Sequence, residues 1–391
     1  MRERPFPSRR PRLDATGSGL SALLFCAGLG LATVALPLVA LLSGYSGVAV
    51  GIFASVSAVS QMGVRFFLAA AMRRWSDRSL VAVAGLLLAA SNGLVALSTE
   101  LVPFLVAELL QGAARACFWT GAQTHVVRGR LTAVRALANL NLTSSLGILA
   151  GPAAAGVLID HDPDLALWVA AVVSLLSFVP AMALDRLPPF TLPSEGRPRG
   201  GLRHRPAVRA GLLASGCEGS WRALLNSYVP VILDAARQSS SVIGILISAA
   251  NAASIVSSVA VARVRSGRAS LAVSLSIVAA GAGIAALAVT AEHAVPAAIA
   301  LAVSGLGAGA LQTMGPAMAA TAVDPQEKGE AIAVTGTVRA AALLVVPLAV
   351  AGMVSVIPLV AAVTLSGGLL AVPAAAALRG RGGTEPRAAT G

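Results

Sequence analysis

Long apolar runs, separated by short polar segments, recur along the whole chain. A helix needs about 20 mostly apolar residues to cross the ~30 Å hydrocarbon core of a bilayer. Twelve runs are long enough, and each is predicted to form one transmembrane helix. The predicted spans are 20–42, 48–72, 80–98, 103–127, 137–159, 165–184, 208–233, 241–262, 270–290, 296–320, 332–352 and 358–378. The pattern therefore predicts an all-α, polytopic membrane protein.

The longest polar break, 185–207, is rich in Pro, Gly and Arg and separates two sets of six spans. The predicted segments are an N-terminal tail (1–19), an N-terminal six-helix bundle (20–184), a linker (185–207), a C-terminal six-helix bundle (208–378) and a C-terminal tail (379–391).

The two halves also resemble each other at an offset of 193–195 residues. The matched pairs are Gly51 with Gly244, Gly112 with Gly307, and Pro152 with Pro347. Because each half has an even number of spans, the repeats are parallel, about a pseudo-two-fold axis along the membrane normal. The interface of the two bundles would then form a central pathway. Chance similarity of Ala-, Gly- and Leu-rich segments is the alternative.

The charged residues are few and unevenly placed. They make up 12% of the chain, against roughly 25% in soluble domains. The net charge of +12 would suit nucleic-acid binding, but the basic residues lie in short loops, so the expected partner is lipid and not nucleic acid. Of the 29 basic residues, 24 lie on the side of both termini and the linker, and only Arg237 lies on the other side. By the positive-inside rule, both termini are cytoplasmic in a multi-pass protein of the bacterial plasma (inner) membrane.

Cofactor and enzyme chemistry are not expected. Cys26, Cys117 and Cys217 lie in apolar runs without the spacing of a metal or redox motif. The four histidines fall at loops or span ends, so neither a zinc cluster nor a buried histidine relay is expected. There is no phosphate-binding P-loop, and no intramembrane nucleophile with the base that an enzyme would need. We therefore expect no cofactor, no metal and no catalytic residue.

Apart from Arg209 at the very start of the seventh span, six charged residues fall inside predicted spans: Arg65, Glu108, Arg115, Glu218, Arg222 and Arg339. Charges in a membrane are costly and usually mark a pathway or a paired site. Arg65 and Arg339 lie close enough to predicted cytoplasmic ends for a long side chain to reach the interface. They are predicted to anchor a helix or to form part of a gate.

Span 4 supplies one side of a predicted substrate and proton pathway. Glu108, Arg115 and Trp119 fall on one stripe of this helix. The two charged residues are about 10 Å apart along the axis, so each needs another partner.

Span 7 supplies the other side of this pathway. Glu218 and Arg222 are four residues apart and can pair, with Asn226 on the same face and Trp221 beside it. Because Arg222 stabilises the ionised form of Glu218, the predicted proton carrier is Glu108. The alternative is that the charges on spans 4 and 7 form buried bridges that only hold helices together.

Two short motifs resemble those of the major facilitator superfamily, and the resemblance extends over essentially the whole chain. RRWSDRS (73–79) is similar to the family's Gly-x-Leu-x-Asp-Arg loop, with Asp77 and Arg78 at the Asp-Arg positions. The resemblance implies a gate that closes the cytoplasmic side by ion pairing; ordinary topology-setting charge is the alternative. ELLQG (108–112) fits the family's Arg-x-x-x-Gly pattern, except that Glu108 replaces Arg. The family's role for that arginine therefore does not carry over.

A third motif, GILAGPAAAG (147–156), looks like the antiporter motif of drug-exporting members of this family. Gly147, Gly151, Pro152 and Gly156 match it. Small residues four apart let helices approach closely, and proline kinks the helix between them. Close packing without any bearing on transport direction is the alternative.

The resemblance implies a secondary active transporter that exports a small organic or amphipathic molecule in exchange for protons, by alternating access. The expected partners are a small-molecule substrate, protons and lipid, and the expected state is a monomer. One alternative is proton-coupled uptake of an organic anion, because four arginines within spans face only two glutamates. An alternative of another class is a membrane sensor that transports nothing.

Overall fold

The structure, a computed structural model, describes residues 11–72, 74–128, 133–187, 205–261, 268–323 and 327–375. These ranges form helices and connecting turns, and no strand lies in them, which confirms the all-α prediction. The helices are α1 (Pro11–Leu42), α2 (Gly47–Ala71), α3 (Asp77–Leu97), α4 (Leu101–Val127), α5 (Ala133–His161), α6 (Pro163–Leu176), α7 (Phe178–Ala181), α8 (Pro206–Asn226), α9 (Tyr228–Ala235), α10 (Ser240–Ala260), α11 (Ala269–Thr290), α12 (Ala294–Thr321), α13 (Lys328–Val354) and α14 (Leu359–Ala371).

Ten helical segments in the described part of the chain have the length and apolar composition needed to cross a membrane. They are α1 to α5, the stretch Pro163–Ala181 that combines α6 and α7, and α10 to α13. The short α14 is also apolar, whereas α8 carries three charged residues. The chain is thus a membrane protein with many spans, and the total of twelve stays a prediction.

Two of the predicted spans are divided, and proline explains both divisions. α6 ends at Leu176, four residues before Pro180, and α8 ends at Asn226, four residues before Pro230. A proline ring clashes with the carbonyl group four residues earlier and supplies no N–H to it. Each of these two predicted spans therefore consists of a longer helix followed by a short one.

Large apolar side chains lie on the outside of the helices. Phe66 is 77% exposed, Phe67 is 75% exposed and Val289 is 68% exposed. A water-soluble protein rarely exposes large apolar patches, whereas lipid is a favourable environment for them. Helices suit that environment, because each one satisfies its backbone hydrogen bonds internally.

The described residues form two compact units. The first unit comprises those within Met1–Glu195 and Asn226–Ser248, and the second comprises those within Gly196–Leu225 and Ala249–Gly391. In the first unit, α9 packs on α1 and α2. The boundaries of the two predicted six-helix bundles remain a prediction.

Small residues and aromatic pairs set the helix spacing in the first unit. There, α1 packs against α5 and α6, while α4 packs against α2 and α3. Gly151 of α5 lies so close to α1 that an added Cβ would be 2.6 Å from the Cα of Gly30. The rings of Phe25 and Phe118 stack between α1 and α4, at a centroid distance of 4.0 Å. Such contacts allow helices to approach closely.

The second unit repeats one helix contact of the first. An added Cβ at Gly112 would overlap the carbonyl group of Ser57, where α4 meets α2. An added Cβ at Gly309 would overlap the carbonyl group of Ser254 in the same way, where α12 meets α10. An added Cβ at Gly305 would likewise overlap the carbonyl group of Ala250 on α10. The packing counterpart of Gly112 is therefore on the face of α12 that carries Gly305 and Gly309. The sequence match with Gly307 was wrong, since Gly307 faces α11 instead.

Cysteine labelling tests the predicted membrane topology. We expect a cysteine in place of Glu195, in the predicted linker, to react with an impermeant maleimide only after cell lysis. A cysteine in place of Glu292, exposed in the turn between α11 and α12, should react in intact cells. The background would lack the three native cysteines. Labelling at position 195 but not at 292 in intact cells would show that the predicted orientation is wrong.

Candidate functional site

A cluster of charged side chains lies where α8 meets α13 in the second unit. The carboxylate of Glu218 is buried, and Arg339 Nη2 donates a hydrogen bond to its Oε1 at 3.1 Å. Arg339 Nε contacts the other oxygen of this carboxylate. Arg222 Nε lies 3.6 Å from Glu218 Oε1. One buried carboxylate is therefore shared by two guanidinium groups.

Neighbouring side chains hold the Arg222 guanidinium group in place. Arg222 Nη1 donates to Asn251 Oδ1 of α10 at 2.9 Å. The guanidinium carbon also lies 4.8 Å from the centroid of the Trp221 ring, a favourable cation–π distance. Trp221 is completely buried, and its Nε1 donates to Ser304 Oγ of α12 at 3.0 Å. Four helices of the second unit thus supply this Glu218 cluster.

The structure adds Arg339 to the pair that the sequence predicted. Glu218 and Arg222 do lie within ion-pair distance, but Arg339 has the closer contacts with the carboxylate. Arg339 is assigned by sequence to a cytoplasmic gate because it lies near a span end, and that role remains a prediction. Asn226, one turn after Arg222, is the last residue of α8 and is half-buried.

The predicted polar stripe of span 4 lies on α4, in the first unit. Glu108 is buried at 6% exposure, and the side chain of Ser57 on α2 faces its carboxyl group. Arg115 Nη2 donates to the side-chain carbonyl of Gln111, one turn earlier on the same helix. Trp119 is half-buried and packs edge-on against the neighbouring phenylalanine ring. Each charge thus has a polar neighbour of its own, as the spacing of Glu108 and Arg115 requires.

A third polar cluster joins the ends of α1, α3 and α4. His125 is buried at 2% exposure, with Nε2 at 2.9 Å from Asp14 Oδ1 and Nδ1 at 3.2 Å from Asp77 Oδ2. Arg128 Nη1 lies 3.5 Å from Asp77 Oδ2. His125 lies at a span end, as the sequence indicates, but it is buried between two carboxylates. The sequence near the end of α4 does not show that two acidic side chains, from α1 and α3, contact this histidine.

Arg78 of the Asp-Arg motif points to a different helix from Asp77. Its Nη1 donates to the carbonyl group of Leu184 at 3.2 Å, just beyond the end of α7. The N–H of Asp185 in turn donates to Asp14 Oδ1 at 2.8 Å. The motif therefore fastens α1, α3, α4 and the end of α7 to one another inside the first unit. Its role as a gate stays a prediction.

The gate prediction is tested by replacing Asp77 with asparagine, which removes the charge at constant size. Asp77 is buried and contacts His125 and Arg128. We expect transport to slow several-fold while the purified protein still elutes as a single species in gel filtration. Asp164→Asn, at an exposed acid in the first turn of α6, is the control. Normal transport by Asp77→Asn at normal expression would mean that the loop only sets topology.

The antiporter-like motif lies between α1 and α10. An added Cβ at Gly147 would overlap the backbone of α1, and one at Gly156 would overlap the backbone of Ser240 at the start of α10. Gly151 also faces α1, and the carbonyl group of Pro152 faces Gly244 of α10. The four motif residues therefore allow the backbone of α5 to pack directly against the backbones of α1 and α10. Any bearing of the motif on transport direction stays a prediction.

Two side chains reinforce the contact between α5 and α10. Asp160 of α5 accepts hydrogen bonds from the backbone N–H groups of Ser240 (2.9 Å) and Ser241 (3.0 Å), the first two residues of α10. Ser248 Oγ accepts from the N–H of Ala153 at 3.0 Å and donates to the carbonyl group of Leu149 at 2.8 Å. In a regular helix the N–H of Ala153 would donate directly to the carbonyl group of Leu149. Here the Ser248 hydroxyl bonds to both groups, beside the proline of the motif.

An apolar cavity of about 690 Å³ lies between α8, α13 and α14 in the second unit. Gly216 and Ser220 line it from α8, and Val345 and Met353 line it from α13. At 100° per residue, Gly216 and Ser220 lie on the side of α8 opposite Glu218. The cavity is therefore separate from the Glu218 cluster.

Sequence reasoning missed four residues of these clusters: Asn251, Ser304, Asp14 and His125. Asn251 has a signal, because an amide group inside an apolar run needs a hydrogen-bond partner in a membrane. Ser304 has none, since serine is common in these helices and often bonds to its own backbone, as its Oγ also does here. Asp14 falls in the predicted N-terminal tail, and α1 begins three residues before it.

Comparison with solved structures shows the fold of a transporter. The nucleoside transporter NupG superposes with a TM-score of 0.76 at 14% identity, over 95% of this chain and 100% of that chain. A bacterial homologue of the human lysosomal transporter Spinster, inward-facing and unoccupied, gives 0.73 at 12% identity, over 96% and 98%. A POT family transporter in complex with 5-aminolevulinic acid gives 0.72 at 11% identity, over 94% and 96%. At these identities the likeness concerns the fold alone.

The sequence itself gives the family. No curated protein matches the chain. The sequence model of the Major Facilitator Superfamily matches residues 19–347, which is well over half of the chain. The chain therefore belongs to the major facilitator superfamily.

Proposed function

We propose that the protein is a secondary active transporter that exports a small organic or amphipathic molecule in exchange for protons. The observation that carries this proposal is that the two acidic residues within the predicted spans, Glu108 and Glu218, both have buried carboxyl groups. Ionisable groups inside a membrane are costly and typically belong to substrate or proton pathways. Membership of the major facilitator superfamily points to transport and away from enzymatic activity.

The different neighbours of Glu108 and Glu218 support proton coupling through Glu108. Glu218 contacts two guanidinium groups, and their positive charges compensate its own charge. Glu108 has a serine hydroxyl beside it, and the arginine of its own helix lies two turns away. The Glu108 carboxyl group is thus not held by two contacting guanidinium groups as that of Glu218 is, and Glu108 is the proposed carrier.

Export is supported by the match of Gly147, Gly151, Pro152 and Gly156 to the antiporter motif of drug-exporting family members. These residues allow α5 to pack directly against the backbones of α1 and α10. The proposed mechanism is alternating access, with a monomer in the bacterial inner membrane and both termini cytoplasmic.

Flux measurements in proteoliposomes test the proposal. A panel of labelled nucleosides, peptides and drug-like amphiphiles would be screened with an imposed pH gradient of either sign. We expect at least one compound to move against its own gradient when protons flow the opposite way. Empty liposomes and the Glu108→Gln variant serve as controls. Flux that ignores the pH gradient would contradict proton coupling, and the absence of flux for every compound would favour the sensor alternative.

The second candidate function is proton-coupled uptake of an organic anion. The specific observation that favours it is the pair of arginines on Glu218. The same liposomes separate it from export, because uptake would require the solute and protons to move in the same direction.

A further inference from the structure

The Glu218 cluster carries an excess positive charge within the helices of the second unit. Two guanidinium groups, of Arg222 and Arg339, contact one carboxylate. The sequences of α8, α10, α11, α12, α14 and the span Val334–Val354 contain no acidic residue other than Glu218. The cluster therefore has a formal charge of +1. An uncompensated charge is unfavourable in a low-dielectric environment, so the cluster favours the arrival of an anion.

The two arginines retain hydrogen-bond donors for such an anion. Each guanidinium group has five N–H donors in a planar fork. The contacts in the structure use Nε and Nη1 of Arg222, and Nε and Nη2 of Arg339. Within the described structure, this leaves Nη2 of Arg222 and Nη1 of Arg339 to donate to a ligand.

The exposure of the three side chains shows which of them an anion can reach. The Glu218 side chain is 1% exposed, whereas those of Arg222 and Arg339 are 16% and 39% exposed. The arginines thus cover the carboxylate. Charged groups within spans typically face a water-filled cavity and not lipid. Arg339 lies only about 8 Å along the helix from the start of the span Val334–Val354, so the path to it from that end is short.

The charge of the cluster selects among anions. A carboxylate carries one negative charge, which neutralises the cluster, and its two oxygens suit the planar donors of arginine. A phosphate dianion would reverse the sign of the charge, and an amine would be repelled. We propose that Arg222 and Arg339 bind the carboxylate group of a small organic monoanion, and that this monoanion is the transported substrate. The second half of this statement rests on the proposed transport function, whereas the binding site does not.

Ligand-induced stabilisation of the purified full-length protein tests the site. The probes are acetate, benzoate and octanoate, each compared with its uncharged primary amide at constant ionic strength. We expect at least one carboxylate to raise the thermal unfolding temperature with a saturating concentration dependence, while its amide does not. Benzylamine, a cation of similar size to benzoate, should have no effect. If none of the three carboxylates is preferred over its amide, the proposal is wrong.

Charge variants locate the effect. Arg339→Gln makes the cluster neutral and leaves Glu218 beside Arg222, so the affinity for the carboxylate should fall about 10-fold or more. The double variant Glu218→Gln with Arg339→Gln returns the formal charge to +1 and should recover part of that affinity. Arg209→Gln, at an exposed position in the first turns of α8, is the control and should bind as the wild type does. Unchanged binding by Arg339→Gln would overturn the site.

If Arg339→Gln does not fold, a second variant still tests the site. Arg339→Lys keeps the charge but loses the planar fork, so its affinity should lie between those of the wild type and Arg339→Gln. Wild-type affinity in both variants would show that the carboxylate binds elsewhere.

Flux measurements separate this site from the transport function. Carboxylate binding without flux of the same compound in proteoliposomes would retain the site and refute transport of that anion. Flux of a neutral or cationic compound, with no carboxylate binding, would retain transport and refute the site.

Discussion

Replacing Glu108 by glutamine is expected to abolish proton-driven transport while leaving substrate exchange intact. Glu108 is buried, and glutamine keeps its volume and its hydrogen-bonding capacity but cannot release a proton. A loss of roughly two orders of magnitude in the proton-coupled rate is typical when an essential proton-transfer group is removed. The measurement is substrate-induced proton flux into liposomes, recorded beside counterflow of labelled substrate.

The control for this experiment is Glu100→Gln. Glu100 precedes the same helix, α4, and its side chain makes no capping hydrogen bond. It is exposed, so its replacement should leave both proton flux and counterflow unchanged. Should Glu108→Gln retain full proton-coupled flux, Glu108 is not the carrier, and Glu218 becomes the next candidate.

Glu218→Gln is expected to destabilise the protein instead of uncoupling it cleanly. The substitution leaves both Arg222 and Arg339 without their shared carboxylate. Removing one partner of a buried ion pair typically costs roughly 3 kcal/mol or more, and the partial exposure of Arg339 reduces that cost. We expect a clear fall in the thermal unfolding temperature and in expression, measured by fluorescence-detected gel filtration after heating.

Two comparisons show whether charge causes this loss. The double variant Glu218→Gln with Arg339→Gln leaves one unpaired cation instead of two, so part of the stability should return. Glu327→Gln is the matched control, because Glu327 pairs with Arg205, whose side chain is 45% exposed. The Glu327 carboxylate is also buried, but it has one arginine partner that is half in solvent, so this substitution should lower the thermal unfolding temperature less than Glu218→Gln does. Equal losses for Glu218→Gln and Glu327→Gln would contradict a special role for the Glu218 cluster.

Much of the fold was predictable because a bilayer imposes a length on each helix. The apolar runs coincide closely with helices such as α2, α10 and α11. The division of span 7 was missed, although Pro230 supplies a physical signal four residues after the end of α8. Hydropathy alone does not register a missing N–H group, because proline in a membrane helix often produces a kink and not a break.

The candidate site was predictable only within single helices. The spacing of Glu218 and Arg222 indicates a pair, and the two residues do lie within ion-pair distance. Arg339 lies 121 residues further along the chain, and helical periodicity contains no information about which helices are neighbours. The same limit applies to His125, whose two acidic partners come from α1 and α3. Contacts between distant residues depend on packing, which a single sequence does not display.

The hydroxyl group of Ser248 makes the local shape of α5 depend on another helix. If α10 moved away, the N–H of Ala153 and the carbonyl group of Leu149 would lose their shared partner. Each unpaired group would cost roughly 1–3 kcal/mol in an environment without water. The hydrogen bonding of α5 beside Pro152 is therefore completed by a side chain of α10. Any displacement of α10 from α5 would have to break these two bonds, so the position of α10 and the backbone of α5 are energetically coupled.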